Sequence, residues 1–561
     1  GDIARPVTRA KAAVAISPPI AAAREIVTAL TAAHQDVVAA AAQLAARDGR
    51  IEVAAADAIQ SALYSLALAY ADLKAAAVLL EAHDALAPLD RELALLFVAD
   101  IAPTTLERLE TVAGDVDLAV APLLSLRASE GFATLRTAAS GAALNGIGAR
   151  IAAGEAFGEV ALSEDTALAA DAFRRFAADV VAPLAQGIHR DDTTVPEELI
   201  QPMRELGVFG LSIPERYGGS VGHGEDTPLM LAVTEALSYA SLAAAGSLIT
   251  RPEILARALL AGGTEAQKDH WLPRIAAGDP LCAIAITEPD AGSDVAALTL
   301  RAVRTDAGWL LDGAKTWCTF AGKAGLLMVV ARTDADPSLG HRGLSLILVE
   351  KPSFEGHGFT YEQPGGGRLT GRAIPTPGYR GMHSFDLSFE GFLVPHANVI
   401  GEDTGLGRGF YLTMAGMTGG RIQTAGRALG VMRAALDAAI GFAKDRRVFG
   451  APLAGYQLTR AKLARTAAHY AACRHLAHDV ARRLDAGGDS ADASLAKLIA
   501  CRAAEWITRE AQQIHGGMGY AEESPVSRYW VDARVLSIFE GAEETLALKV
   551  VARRLLEDAL G

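Results

Sequence analysis

Hydrophobic residues along this chain change their period twice, near residues 280 and 400, and that alternation limits the folds open to it. From about 21 to 155 they recur every three or four residues. Leu63, Leu66, Tyr70, Leu73, Ala77 and Leu80 fall on one face of a helix, with Asp72 and Lys74 turned away. Alanine dominates this third of the chain and is the best helix former, so its low complexity indicates helix, not disorder. Breakers at Ala102-Pro103 and near Gly146 and Gly148 divide it into several packed helices. A second helical stretch runs from about 163 to 280; Ser163 before Glu164-Asp165 is a helix-start signal, and Gly218-Gly219 and Gly262-Gly263 punctuate it. Between 281 and 400 the pattern turns to short apolar runs at 281–287, 309–312, 326–333, 344–349 and 386–394, bounded by Gly, Asp and Pro, which read as strands. Helix returns from about 405, with Leu429, Met432, Leu436 and Ile440 on one buried face. The expected order is a helical extension (1–158), a helical domain (159–280), a β domain (281–400) and a helical bundle (401–561), a mainly α chain without the βαβ alternation of a doubly wound fold.

Composition narrows the partners. The formal net charge is -14 and no basic stripe appears, so nucleic acid is not expected to bind. The four cysteines, Cys282, Cys318, Cys473 and Cys501, form no CxxC pair and no metal-like spacing with His; free thiols and no metal are expected. No apolar run reaches the ~18–20 uncharged residues of a membrane span. Arg5, Arg9 and Lys11 precede a short apolar stretch that Ser17-Pro18-Pro19 interrupts, which argues against a secretory signal, and a cytoplasmic location is the expectation. Gly146-x-Gly148 lacks the third glycine and the preceding strand of a dinucleotide fingerprint.

The chemical signals lie in the last 400 residues. Thr287-Glu288-Pro289-Asp290-Ala291-Gly292-Ser293-Asp294 follows a strand; such a loop of hydroxyls and glycine wraps a cofactor or is a plain surface turn. Gly313-Ala314-Lys315-Thr316-Trp317-Cys318-Thr319 carries a tryptophan that by base expectation belongs to a core. Asp445-Arg446-Arg447-Val448-Phe449-Gly450, Gln513-Ile514-His515-Gly516-Gly517-Met518-Gly519-Tyr520 and Ile538-Phe539-Glu540-Gly541 follow, and Gly207-Val208-Phe209-Gly210-Leu211 with Pro214-Glu215-Arg216-Tyr217-Gly218-Gly219 precedes them. Together and in this order, over residues 160 to 561, these segments resemble the acyl-CoA dehydrogenase family. The resemblance implies a helical domain, a β domain and a helical bundle, non-covalent FAD, an acyl-CoA substrate and an electron-transfer flavoprotein as electron acceptor.

The resemblance also assigns residues. Thr287 and Ser293 match contacts to flavin and substrate, Trp317 and Thr319 match the surroundings of the isoalloxazine ring, and Arg446, Phe449 and Gln457 match the part that reaches the FAD of a neighbouring subunit. Gly516 and Gly517 would let backbone approach the cofactor. Glu540 matches the base that removes the Cα proton while hydride leaves Cβ, with its own backbone N–H, and so the Glu540–Gly541 turn, against the thioester oxygen. Some members carry the base just before an arginine on an earlier helix; that arginine matches Arg421, and the residue before it is Gly420, which favours Glu540. Glu543 and Glu544 read as a structural or solvated pair. Ala542 and Glu544 stand where the family often has Thr and Gln, and Phe539 where Tyr is common. The long helical extension and the Gly/Pro/Arg-rich loop at 364–380 resemble the branch of the family that oxidises a short methyl-branched dicarboxyl-CoA such as (2S)-methylsuccinyl-CoA. Arg251 and Arg421 are then the candidates for the second carboxylate, with Arg368, Arg372 and Arg380 as weaker ones. The extension is expected to cover the surface through which the family forms tetramers, leaving a homodimer. Rival readings are a dehydrogenase or oxidase of another short or branched acyl-CoA, and a DNA-binding flavoprotein of the same fold.

Overall fold

The architecture comes from a computed structural model that describes residues 19–222, 224 and 226–561. The segment bearing Arg5, Arg9 and Lys11, and with it the expectation about a secretory signal, lies outside the described residues.

Four long helices make the frame of the N-terminal extension: α1 (Pro19–Ala45), α2 (Gln60–Ala82), α3 (Pro88–Asp115) and α4 (Gly141–Ala152). The sequence places a polar face on α2, and the structure corrects this. Leu63, Leu66, Leu73 and Leu80 are buried, but so are Ala62, Ala69, Ala75 and Ala76 around the helix. Asp72 and Lys74 are both partly buried, and burial pushes the Asp72 carboxyl up to about 6. Alanine causes the discrepancy. It leaves no amphipathic signature, yet it lets helices approach closely on the side that should face water. Gln60–Ala85 is, among the described residues, the one helix long and apolar enough to cross a membrane by length and composition alone, and 61% of its most apolar window is buried by its neighbours.

The two expected breakers do not break. α3 runs through Pro103, flanked by the fully buried Ala102 and Leu106, so packing outweighs the lost backbone bond. α4 runs through Gly146 and Gly148. A Cβ at Gly148 would lie 2.3 Å from the Arg460 carbonyl oxygen, so this glycine sets the distance between helices.

The second helical stretch starts where Ser163 caps its first helix, Oγ accepting from Thr166 N at 3.2 Å. It contains α5 (Asp226–Ala240) and α6 (Thr250–Gly262). The β domain has eight strands: β1 (Cys282–Ala285), β2 (Arg301–Thr305), β3 (Gly308–Thr319), β4 (Leu326–Arg332), β5 (Leu344–Glu350), β6 (Gly358–Glu362), β7 (Arg368–Ala373) and β8 (Ser384–Val394). Their order in the sheet is β1-β4-β2-β3-β8-β7-β6, with β5 pairing on β4. The sequence reading missed β2, β6 and β7, which alternate arginine, threonine and glycine with few apolar residues. The Gly/Pro/Arg-rich stretch is therefore partly a strand. In the β3–β8 register Thr319 faces Ser384, which fixes the face that the β3 residues present.

The last part holds α7 (Gly409–Asp445), α8 (Gln457–Asp485), α9 (Ala491–His515) and α10 (Pro525–Arg534). The extension packs on this bundle: α2, α3 and α4 against α8, α2 against the helical turn Leu546–Ala552, and α1 against the closing helix Arg553–Leu560. One hydrophobic core runs from Ala22 in α1 through Leu436 in α7 to Leu556. The extension thus shares its core with the bundle. A second core lies within the sheet, and a third joins α6 to it. All four cysteines are free and buried.

Candidate active site

Glu540 sits in a turn after α10 with φ +56°, followed by Gly541 at +94°. Left-handed backbone is uncommon for a residue with a side chain and costs about 1–3 kcal/mol unless its surroundings impose it. Here they do. Lys497, buried in α9, donates to the carbonyl oxygens on both sides of Glu540, those of Phe539 and of Gly541, the latter at 2.6 Å. Glu543 anchors the far end: Tyr64 of α2 donates to its Oε1 at 2.6 Å, and Arg502 of α9 pairs with the same oxygen. Asp57 in the extension also accepts from Lys549 at 2.8 Å. The extension therefore touches the segment that carries Glu540. Glu543 is a structural anchor, as its pairing in sequence suggested, while Glu544 is exposed.

The Glu540 carboxylate is itself surrounded by cations. Arg251 of α6 is 5% exposed and donates from Nη2 to Glu540 Oε1 at 3.1 Å, and from Nη1 to the Tyr379 hydroxyl at 3.2 Å. Arg427 of α7 is fully buried. Its Nη2 lies 3.7 Å from Glu540 Oε1, its Nη1 donates to Tyr379 and Ser247, and its Nε has no partner. Arg421, one turn and a half earlier on α7, donates to Ser494 Oγ at 3.2 Å; its Nε is also unpartnered, and burial lowers its pKa. Gly420 lies next to the carboxylate: a Cβ there would be 3.5 Å from Glu540 Oε2. The two places where a base could stand thus converge on one point in space.

Sequence reasoning singled out Arg251 and Arg421 but missed Arg427, Lys497 and Tyr379. Lys497 had a signal, since it is a lysine inside the apolar run 493–501 of α9. Tyr379 lies in the 364–380 loop with φ +56°, its N–H bound to Asp532 at 2.7 Å. The loop thus serves the site through its tyrosine. Its three arginines do not reach Glu540: Arg368 pairs with Glu362 at 2.8 Å, Arg372 is an exposed residue of β7, and Arg380 donates to the carbonyls of Thr376 and His189. Arg380 also lies 3.7 Å from Asp192, which with His357 and His383 forms a group whose ligand atoms come within 4.8 Å of one another. That carboxylate already has a guanidinium.

A second face carries the residues that the resemblance assigns to the cofactor. Trp317 on β3 is 55% exposed with φ +56°, against the expectation that a strand tryptophan belongs to a core. Thr316 N donates to Thr287 O at 2.8 Å, which seats the Thr287–Ser293 loop beside it. Ser293 meets Thr545 through their hydroxyls at 3.1 Å, placing that loop next to the Glu540 segment; Thr319 meets Ser384 at 3.0 Å. An exposed indole flanked by hydroxyls, held in a costly backbone conformation beside a loop that meets the Glu540 segment, fits a flat polar-edged ring such as a flavin. Arg446, Phe449, Gln457, Gly516 and Gly517 form an outer group, all exposed, with Phe449 fully so. Phe442 stacks on His515 at 4.4 Å and joins the Phe449 hairpin to the two glycines. Gln457 also lies against the extension, since a Cβ at Gly141 would be 3.0 Å from its Nε2.

These features define a flavin-type dehydrogenase fold with a buried carboxylate at its centre. The chain belongs to the acyl-CoA dehydrogenase family: the N-terminal, middle and C-terminal domain models of that family match residues 163–279, 283–392 and 407–556. It is 41% identical over 403 residues to (2S)-methylsuccinyl-CoA dehydrogenase of Cereibacter sphaeroides, covering 72% of this chain and 71% of that one. Among solved structures it resembles butyryl-CoA dehydrogenase from Megasphaera elsdenii, with a TM-score of 0.65, 31% identity, and coverage of 71% of this chain and all of that one. It also resembles a glutaryl-CoA dehydrogenase from Mycobacterium smegmatis in complex with FADH2, with a TM-score of 0.61, 27% identity, and coverage of 70% and 95%. The chain is an acyl-CoA dehydrogenase of a family whose members bind FAD.

Proposed function

We propose that this enzyme oxidises (2S)-methylsuccinyl-CoA to mesaconyl-CoA, with Glu540 as base. The observation that carries the substrate is an imbalance of buried charge. Arg251, Arg421 and Arg427 surround one carboxylate, and two of the three keep an unpartnered Nε. Buried cations without matching anions are costly, so a second carboxylate belongs there when substrate binds. The distance also selects chain length. In a four-carbon dicarboxyl thioester the distal carboxylate hangs on Cβ, the carbon next to the Cα that gives its proton to the base. A guanidinium 3.1 Å from the base meets such a carboxylate and would be overshot by a longer chain. The relative from Cereibacter sphaeroides supports the same substrate.

In this reading Thr287, Ser293, Trp317 and Thr319 hold FAD from one subunit, and Arg446, Phe449, Gln457, Gly516 and Gly517 reach that of the partner. Bound FAD supplies the acceptor for the Cβ hydride. Glu540 takes the Cα proton, its backbone N–H and the Glu540–Gly541 turn face the thioester oxygen, and the three arginines hold the distal carboxylate. Arg251 must then turn from Glu540 to the substrate, which frees the base. The proposed electron acceptor is an electron-transfer flavoprotein. Purified protein should be yellow, with about one FAD per chain; a folded colourless protein that gains no activity with added FAD contradicts this reading.

The assembly proposed is a homodimer. The extension lies on α8 and on the closing helices, where it shares the core, so the bundle presents less apolar surface for a second dimer. Light scattering should give the mass of two chains, and a stable tetramer would refute this.

A further inference from the structure

We propose that Lys497 is a positioning residue that strengthens the hydrogen-bond donor facing the thioester oxygen, by holding and polarising the peptide that joins Phe539 to Glu540. The carbonyl of that peptide belongs to Phe539 and its N–H to Glu540, so a cation at the carbonyl draws electron density toward it and makes the N–H a better donor. Lys497 Nζ donates to this carbonyl and to that of Gly541 at 2.6 Å, so it grips the peptide before Glu540 and the peptide after Gly541 together. The side chain is 1% exposed, and no carboxylate takes a hydrogen bond or ion pair from it among the described residues. A buried ammonium spent wholly on two backbone carbonyls is expensive, and a structural turn needs only a neutral donor. What the charge adds is a fixed field along the peptide whose N–H faces the reaction. This proposal rests on the reading of Glu540 as base.

The chemistry affected is the proton step. The Cα–H bond breaks, the proton passes to the Glu540 carboxylate, and the electron pair moves onto the thioester oxygen, where negative charge develops opposite the Glu540 N–H. Hydrogen bonds in series strengthen one another by ~10–30%. Removing a whole oxyanion donor costs ~10²–10³-fold in kcat; losing only its polarisation and alignment is expected to cost about tenfold. Burial pulls Lys497 down to about 8, with Cys501 and Glu540 raising it and Arg427 and Arg421 lowering it further. The folded-state pKa is depressed, so the ammonium is present below about pH 8 and lost above it, and the benefit should fade as pH rises through that value.

The test compares FAD-loaded parent and Lys497→Met, which keeps the length of the side chain and removes its charge. Two readouts separate this role from simple support of the fold. The first is kcat and KM against pH. The parent should lose activity above about pH 8, while Lys497→Met should show kcat about tenfold lower below that pH, KM within about threefold, and no such limb. The second is exchange of the Cα proton of (2S)-methylsuccinyl-CoA with D2O on enzyme whose bound flavin has first been reduced and so takes no hydride. Exchange should slow about tenfold in the variant. Lys497→Arg, which restores a cation, should recover part of both. Parental exchange and kcat in Lys497→Met would overturn the proposal, as would equal losses in exchange for Lys497→Met and Lys497→Arg. A parent that exchanges no Cα proton would overturn the assignment of the base, and this proposal with it; a parent that exchanges while the variant matches it refutes Lys497 alone.

Discussion

Glu540→Gln is expected to retain FAD and bind substrate while kcat falls by ~10²–10⁴-fold, the usual cost of removing a general base. The amide keeps the shape of the side chain and one acceptor for the Arg251 hydrogen bond, now 3.1 Å long. It removes the only carboxylate ion-paired with Arg251 and Arg427 among the described residues. Affinity for the dicarboxyl thioester should therefore hold or rise, because the guanidiniums gain an unopposed claim on its carboxylate. Retained kcat would move the base elsewhere. Glu543 is a poor substitute, since Tyr64 and Arg502 hold its carboxylate toward the extension.

Butyryl-CoA should be a poor substrate, ~10²–10⁴-fold below (2S)-methylsuccinyl-CoA in kcat/KM. A plain methyl end leaves Arg251, Arg421 and Arg427 without the second anion, and an uncompensated buried charge costs ~3–5 kcal/mol, at about 1.4 kcal/mol per factor of ten. A monocarboxyl thioester also gives Arg251 no reason to leave Glu540, so much of the loss should appear in kcat. Succinyl-CoA keeps the carboxylate and lacks only the methyl branch, and one apolar group of that size is worth ~10–200-fold. Arg251→Ala should narrow the gap between the dicarboxyl thioesters and butyryl-CoA. Equal kcat/KM for butyryl-CoA and methylsuccinyl-CoA in the parent would refute the dicarboxylate; an unchanged gap in Arg251→Ala would shift its recognition to Arg427 and Arg421.

The sequence disclosed the order of helical and strand segments because the hydrophobic period changes from near four to two and back. It disclosed Glu540 because the resembling segments are contiguous stretches of chain. Contacts between distant segments were not legible. Nothing in the run around Lys497 shows that it ends beneath residues 539–541, and Arg427 reads as one more arginine on a long helix until α6 and the 364–380 loop are packed against it. Alanine hid the second buried face of α2, and the polar strands β2, β6 and β7 hid behind their arginines and glycines. Tyr64, which ties the extension to Glu543 479 positions away, carries no local signal at all.

Anaerobic reduction of the bound flavin tests most directly whether one buried carboxylate and its surrounding arginines act on a short dicarboxyl thioester. Mixing FAD-loaded protein with one equivalent of (2S)-methylsuccinyl-CoA in the absence of oxygen should bleach the yellow absorption and yield mesaconyl-CoA, while butyryl-CoA at the same concentration leaves the colour almost unchanged over that time. Bleaching by butyryl-CoA at the same rate, or none with either thioester, would contradict that reading.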